Sequence, residues 1–181
     1  GYKFGVGDQT GHLAYIFKKS NSELYLNDPL FSNLDFFGPF QYFYSLISKC
    51  INIFNVNLFF LIFTSANNFI LTILLYFIIR HFNISFFFSL LCVICLFSID
   101  PYALGGGGWI ISDHFKPSLI ARVFSYSAIL LALKRRYFLS YLLCILGSLV
   151  HPTICALTGV IILIISLINT LNFEFFHINF K

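Results

Sequence analysis

The chain has 181 residues, of which 59% are hydrophobic and only 10% are charged. Soluble domains contain about 45–50% apolar and about 25% charged residues, so this composition excludes an ordinary soluble domain. The net charge of +4 is small, and no basic cluster is interleaved with polar residues, which excludes a nucleic-acid-binding domain.

The first predicted element is an amphipathic helix over Gly7–Lys19, in the stretch FGVGDQTGHLAYIFKK. Its polar residues follow a 4-3-4 spacing that places them on one face of a helix, and its apolar residues occupy another face. Such a helix is expected to lie on a membrane with its apolar side toward lipid and its charges, Lys18 included, toward water. The polar face consists of Asp8, His12, Tyr15 and Lys19, and the apolar face of Leu13, Ile16 and Phe17.

The next predicted elements are a turn and a second helix. Asp28-Pro29 is typical of a turn start. Phe40–Phe54 is predicted to be a helix lying in the membrane interface, because it is short and contains Lys49 and Asn52. The alternative is a short sixth span, which would invert the orientation of everything before it. With the interfacial interpretation, residues 1–56 form an extracytoplasmic loop that carries two interfacial helices.

Five apolar stretches predict membrane-spanning helices, although several are shorter than the ~20 residues that a perpendicular helix needs. Asn67 and Asn68 lie in the first stretch and are expected to point into the bundle, because amide groups facing lipid are costly. The predicted fold class is therefore all-α, a polytopic transmembrane bundle of about five spans over residues 57–169. The spans are Asn57–Ile79, Phe82–Ile99, Ser118–Leu133, Tyr137–Val150 and Thr153–Ile168.

Two short cationic turns set the predicted orientation. Arg80 follows the first span and Lys134–Arg136 separates the third from the fourth, and short cationic loops stay on the cytoplasmic side. Counting spans then places the loop 100–117 and His151 on the extracytoplasmic face together with residues 1–56. The tail 170–181 falls on the cytoplasmic side. We therefore expect a multi-pass protein of the inner (plasma) membrane, with the lipid bilayer as its partner.

Neither the glycines nor the cysteines indicate a cofactor. Gly105–Gly108 lacks the GK[ST] of a phosphate-binding loop, so we expect a loop tip. Cys92 and Cys95 have CxxC spacing without a second ligand pair. All five cysteines lie in apolar runs and are expected to act as small hydrophobic residues. The sequence predicts no metal site and leaves the cofactor unknown.

The clearest candidates for chemistry surround the outer end of the third span. Asp113, His114 and Lys116 lie just before it, and Arg122 lies about one helical turn inside it. An ionisable residue within a span is a functional hypothesis by default, and a guanidinium can bind phosphate through two hydrogen bonds. Snorkelling of Arg122 to lipid headgroups is the structural alternative. His151, at the outer end of the fourth span, suits either a helix C-terminus or the same site.

The chain resembles a group of uncharacterised bacterial multi-pass membrane proteins in three stretches, namely GVGDQTGHLAYIFKK, LYLNDPLF and HFKPSLIARVFSYSAILLALKRRYFLSYLLCILGSLVHPTICAL. That group is similar to the GT-C superfamily of integral-membrane glycosyltransferases. The resemblance covers nearly the whole chain but only the front part of such a protein. The sequence also lacks methionine and starts within a predicted loop, so we expect a fragment of a longer protein.

The resemblance implies sugar transfer from a polyprenyl-phosphate donor. In GT-C enzymes a carboxylate in the first extracytoplasmic loop activates the acceptor, and Asp8 occupies the matching place as the general base. His12 and His151 would orient or neutralise neighbouring groups. Many such families carry an acidic pair at this point, whereas Asp8 is followed here by Gln9, which argues against a metal bridged by adjacent carboxylates. The substrate-binding set would be Asp113, His114, Lys116, Arg122 and His151, with His114, Lys116 and Arg122 stabilising the departing lipid phosphate.

The residues leave two other functions open. A non-enzymatic transporter or lipid-handling membrane protein would use the same outer cluster to bind an anionic solute. A purely structural membrane subunit would leave Arg122 and the outer cluster without a purpose.

Overall fold

A computed structural model describes residues 2–5, 8–29, 40–51, 55–98 and 113–170, and the regular secondary structure within these ranges is entirely helical. The all-α prediction is therefore confirmed for this part of the chain. In order, the helices are α1 (Asp8–Ser20), α2 (Gln41–Ile51), α3 (Val56–His81), α4 (Phe86–Ser98), α5 (Pro117–Leu133), α6 (Tyr137–Ser148) and α7 (Pro152–Thr170).

Two of these helices are long and apolar enough to cross a membrane. They are α3, with 26 residues, and α7, with 19, which at 1.5 Å per residue extend ~39 and ~28 Å against a hydrocarbon core of ~30 Å. In the most apolar 18-residue segment of each helix, only 28% is buried in α3 and 17% in α7. The core helix of a soluble protein is, by contrast, mostly buried. Both helices therefore present most of their apolar surface outward.

The other three apolar helices are shorter than a span. Helices α4 and α6 have 13 and 12 residues, or ~20 and ~18 Å, and α5 has 17. The structure thus supports two spans by length and composition, and does not by itself extend the number to the five that the sequence predicts.

Helix α4 starts four residues later than predicted because the chain turns there. Phe82 caps α3, and its N–H bonds the carbonyl of Ile79. Asn83 follows with φ of 59°, a left-handed conformation that asparagine tolerates and that ends helices. Helix α2, predicted within 40–54, has 11 residues and extends only ~16 Å. Because α4 and α6 are nearly as short, this length does not separate an interfacial helix from a sixth span, and the interfacial interpretation stays a prediction.

Helices α5, α6 and α7 form a tight antiparallel unit. Ser140 Oγ on α6 donates to the Ala128 carbonyl on α5 at 2.6 Å. Asn169 Nδ2, near the end of α7, donates to Tyr137 Oη at the start of α6 at 2.9 Å. A Cβ added at Gly147 would lie 2.6 Å from Cys155 Sγ and 2.8 Å from Phe124 Cβ. Small side chains therefore let the three helices approach closely, as in many membrane bundles.

Helices α1 and α2 pack on one end of this bundle, which we call the outer end: the end formed by the starts of α3, α5 and α7. Phe115, just before α5, is fully buried there. Its ring lies 5.9 Å from that of Phe43 on α2 and 4.6 Å from that of Phe60 on α3. Leu13 and Ile16 of α1 are buried in the same cluster. The apolar face predicted for α1 therefore exists, but the expectation that it faces lipid was wrong, because it packs against side chains of α2 and α3.

Two polar predictions about the helices had different outcomes. Asn67 is buried, and its Nδ2 donates to the Phe63 carbonyl at 2.7 Å, as expected for an amide within a span. Lys18 was wrongly expected to face water. Only 5% of its surface is exposed, because the turn after α1 returns the Ser22 carbonyl to accept from Nζ at 2.6 Å.

Candidate functional site

The polar residues at the outer end are organised by the short segment before α1. Gln9, in the first turn of α1, is completely buried. Its Oε1 accepts the Gly5 N–H at 2.7 Å, and its Nε2 donates to Tyr2 Oη at 3.4 Å. Gly5 has a φ of +69°, which glycine adopts without a steric penalty. Gln9 thus holds residues 2–5 against the bundle.

Lys3 in this segment connects to the chain before α5. Its N–H donates to the Asp113 carbonyl at 2.6 Å, and its Nζ lies 3.3 Å from Asp113 Oδ2. The other carboxylate oxygen of Asp113 lies 2.6 Å from His114 Nδ1. Two contacts therefore join Lys3 and Asp113, which are more than 100 positions apart in the sequence.

These contacts determine the protonation of Asp113. Partial burial alone would raise the pKa of its carboxyl, but the hydrogen bonds from His114 and Lys3 outweigh burial and lower the pKa below its usual range. An ionised carboxylate bonded to Nδ1 orients the imidazole of His114. Because that nitrogen is engaged, His114 can offer only Nε2 to any further group.

His12 forms a second cluster with aromatic residues of α2. Its Nδ1 lies 2.5 Å from the Tyr44 hydroxyl oxygen, and Tyr44 is only 2% exposed. Burial, with a smaller contribution from Tyr15, raises the pKa of the Tyr44 phenol. The phenol therefore keeps its proton and can donate a hydrogen bond to Nδ1. The ring of Tyr15 stacks on Tyr44 at 5.8 Å and fixes its position.

Phe40 links this cluster to the elbow between α6 and α7. Its ring lies edge-on to His12 at 6.2 Å and to His151 at 5.5 Å. The Nδ1 of His151 is buried, and none of the described residues gives it a hydrogen bond. Burial lowers the pKa of His151, and the positive charge of Arg122 lowers it further. His151 is therefore a neutral imidazole at pH 7, close to a guanidinium.

The predicted site residues are brought together in part. His12 and His151 share Phe40, His151 lies near Arg122, and Asp113 contacts His114 directly. Lys116 is partly buried at the residue preceding α5. Helix α1 begins at Asp8, but the side chain of Asp8 lies outside the described part of the chain, so its role stays a prediction.

Four residues of the site were missed by the sequence analysis. Tyr44 falls on the buried face of α2, which repeats at helical spacing through Ile47 and Ile51, and that repeat could have identified it. Lys3 carries no local signal, because its partner is distant in sequence. Gln9 was noted only as the residue following Asp8. The fourth is Phe40, the first residue of the predicted interfacial helix.

Among the described residues, no group of three or more His, Cys, Asp or Glu side chains is placed to hold a metal ion. Comparison of the chain with protein-family models, curated proteins and solved structures found no match.

Proposed function

We propose that this chain is part of a multi-pass inner-membrane glycosyltransferase that uses a polyprenyl-phosphate sugar donor, with a GT-C-like arrangement. All five helices α3–α7 would cross the bilayer, and the outer end would face the extracytoplasmic side. The observation that carries the proposal is the convergence at this end of residues 2–5, 8–20, 113–122 and 151.

The apolar surface of the bundle supports its placement in lipid. Large side chains on the short helices are widely exposed, including Phe87 on α4 at 69% and Phe138 on α6 at 80%. An apolar surface of this extent on a soluble protein would drive aggregation. In a bilayer it is solvated by acyl chains, and the donor lipid would approach along it.

The proposed chemistry requires one base and one phosphate-binding group. Asp8 takes the proton of an acceptor hydroxyl, whose oxygen attacks the anomeric carbon of the sugar. The bond from that carbon to the phosphate oxygen breaks, and its electrons leave with the polyprenyl phosphate. A cation beside this oxygen stabilises the charge that develops in the transition state.

Arg122 and His151 are the best-supported partners for the phosphate. Arg122 is partly buried within α5, where it can reach the level of lipid phosphates. Neutral His151, in the tautomer protonated at its buried Nδ1, can donate a hydrogen bond to a phosphate oxygen. His114 is a weaker candidate than the sequence suggested, because Asp113 already engages its Nδ1. Lys116 can contribute charge at the mouth of α5.

The first test removes the proposed base. Asp8→Asn keeps the shape of the side chain but removes its proton acceptor, and loss of a positioned base costs about 10²–10⁴ in rate. In the full-length protein, sugar transfer should fall by this factor while binding of the polyprenyl-phosphate donor survives. Asp28→Asn, which changes a carboxylate in the turn after α1, is the matched control and should transfer normally.

Arg122→Ala should give the opposite pattern, with weakened donor binding, because the phosphate loses its bidentate partner. Transfer at the wild-type rate in Asp8→Asn would eliminate Asp8 as the base. Absence of transfer by the unmutated protein, together with solute uptake into vesicles, would favour the transporter function instead.

A further inference from the structure

The end of the bundle opposite the outer end carries a compact set of cations. Lys134, Arg135 and Arg136 form the turn between α5 and α6, and all three are exposed. None of them forms an ion pair with any described residue. Three adjacent like charges repel one another, so an anion held between them would be stabilised.

The backbone of this turn explains why its side chains point outward. Arg135 has a φ of 59°. Its N–H bonds the Ala132 carbonyl at 2.9 Å, and the N–H of Arg136 bonds the Leu131 carbonyl, also at 2.9 Å. This is the Schellman arrangement that ends a helix. Because these backbone N–H groups are used within the turn, an anion there would have to be bound by side chains.

Arg80 adds a fourth cation at the same end. Helices α3 and α5 pack against each other, and both start at the outer end, where Phe60 contacts Phe115. From Phe60 to Arg80 the helix rises ~30 Å, and from Pro117 to Lys134 it rises ~26 Å. The two cationic turns therefore lie at similar depth. Arg80 donates from Nη1 to the Ile84 carbonyl, which holds its guanidinium over the α3–α4 turn.

An apolar surface begins directly beside these charges. Phe138, Leu142 and Ile145 of α6 are exposed, and their spacing of four and three residues places them on one face of the helix. An acyl chain lying along this face would have its headgroup at Arg135 and Arg136. The carboxylates whose side chains the structure describes belong to the N-terminal segment or to the start of α5, so none of them neutralises this end; they are Glu23, Asp28 and Asp113.

We propose that Lys134–Arg136, together with Arg80, bind the phosphate of an anionic phospholipid whose chains lie against α6. The contiguous apolar face favours a lipid over soluble phosphate, because soluble phosphate has nothing to place on Phe138 and Leu142. This site is separate from the proposed sugar transfer and does not depend on it.

Native mass spectrometry of the purified full chain in detergent tests the proposal. The probe is an equimolar mixture of phosphatidylglycerol and phosphatidylcholine with identical acyl chains. Each basic residue near an anionic lipid surface contributes about 1 kcal/mol, or about fivefold in affinity. The preference for phosphatidylglycerol should therefore fall on the order of 25-fold in Arg135→Gln/Arg136→Gln. The matched control is Arg135→Lys/Arg136→Lys, which changes the same two positions but keeps both charges and should keep the preference.

Two further measurements use the unmutated chain, so their outcome does not depend on whether the variants fold. Raising the salt concentration should weaken the preference, because exposed charges are screened. Excess inorganic phosphate at constant ionic strength should leave the lipid bound. An unchanged preference in Arg135→Gln/Arg136→Gln, no response to salt, or displacement of the lipid by inorganic phosphate would each overturn the proposal.

Discussion

At the level of single side chains, several polar residues near the start of the chain form hydrogen bonds within the protein instead of facing water. Gln9 is completely buried and Lys18 nearly so, and each has a specific partner. Lys3 is more exposed, but it contacts both the backbone and the side chain of Asp113. Burying an amide or an ammonium without a partner is costly, so these pairings determine how the N-terminal segment lies on the bundle.

His151 provides a prediction about pH. Its pKa is lowered by burial and then by the charge of Arg122. Between this lowered pKa and the ordinary value of about 6.5, the unfolded chain binds more protons than the folded chain. Stability therefore rises with pH across this window and is lost as the pH falls through it. Arg122→Gln removes one of the two causes, so the titration midpoint of His151 should move upward.

The midpoint can be followed by NMR of the chain labelled with ¹⁵N-histidine. The sequence has five histidines, and His151→Gln identifies the relevant signal. Arg80→Gln, at the opposite end of the bundle, is the control and should leave the midpoint unchanged. If the titration midpoint of His151 is the same in Arg122→Gln as in the unmutated chain, the charge of Arg122 does not lower the pKa of His151.

At the level of helices, α6 packs tightly where it crosses α5 and α7. This packing leads to a prediction about stability. A Cβ at Gly147 would come within 3 Å of both Phe124 and Cys155, whereas a Cβ at Gly159 on α7 would meet nothing within 4 Å. Gly147→Ala should therefore destabilise the bundle by about 1–3 kcal/mol through overpacking. Gly159→Ala should stabilise it by up to about 1 kcal/mol, because alanine favours a helix over glycine.

Unfolding of both variants by sodium dodecyl sulfate, monitored by circular dichroism, measures these effects. The paired design separates the helix propensity of alanine from the contact at the helix crossing, because both substitutions add the same methyl group. If Gly147→Ala and Gly159→Ala shifted the transition equally, the close approach of α6 would be refuted.

The helices themselves were largely predictable, because apolar runs and 3.6-residue periodicity are local properties of the sequence. Helix α1 was predicted over 7–19 and lies at Asp8–Ser20, and the interfacial segment contains α2. The start of α4 was missed because it depends on a left-handed residue, Asn83. The pairing of His12 with Tyr44 joins residues 32 positions apart, and helical periodicity says nothing about such a distance. The sequence therefore predicted which residues could belong to the site, but not which of them contact each other.

At the scale of the whole molecule, the two ends carry different sets of charges. The outer end has the described carboxylates together with five lysines and Arg122, whereas the short turns at Arg80 and Lys134–Arg136 carry only cations. This distribution agrees with the tendency of cationic loops to stay in the cytoplasm. The two turns would lie on the same side whether all five helices α3–α7 cross or only α3 and α7 do, so the number of spans requires a separate test.

Cysteine labelling in intact cells decides how many helices cross. The proposed sites are Ser22, Asn83, Arg135 and Leu149, which are all exposed, each changed to cysteine and treated with a membrane-impermeant reagent. If all five helices α3–α7 cross, cysteines at 22 and 149 should react and those at 83 and 135 should not. If only α3 and α7 cross, position 149 stays with 83 and 135 on the cytoplasmic side, so Leu149 is the deciding position.

We expect the cysteine at Leu149 to react, for a physical reason. Helix α6 has exposed apolar residues along its length, from Phe138 at 80% to Leu146 at 43%. Leaving them in water would cost about 25 cal/mol for each Å² of apolar surface. Crossing requires only that the bilayer thin around a helix of ~18 Å, at fractions of a kcal/mol per Å of mismatch. Reaction at Ser22 without reaction at Leu149 would instead establish two spans, and α4–α6 would then lie on the cytoplasmic side.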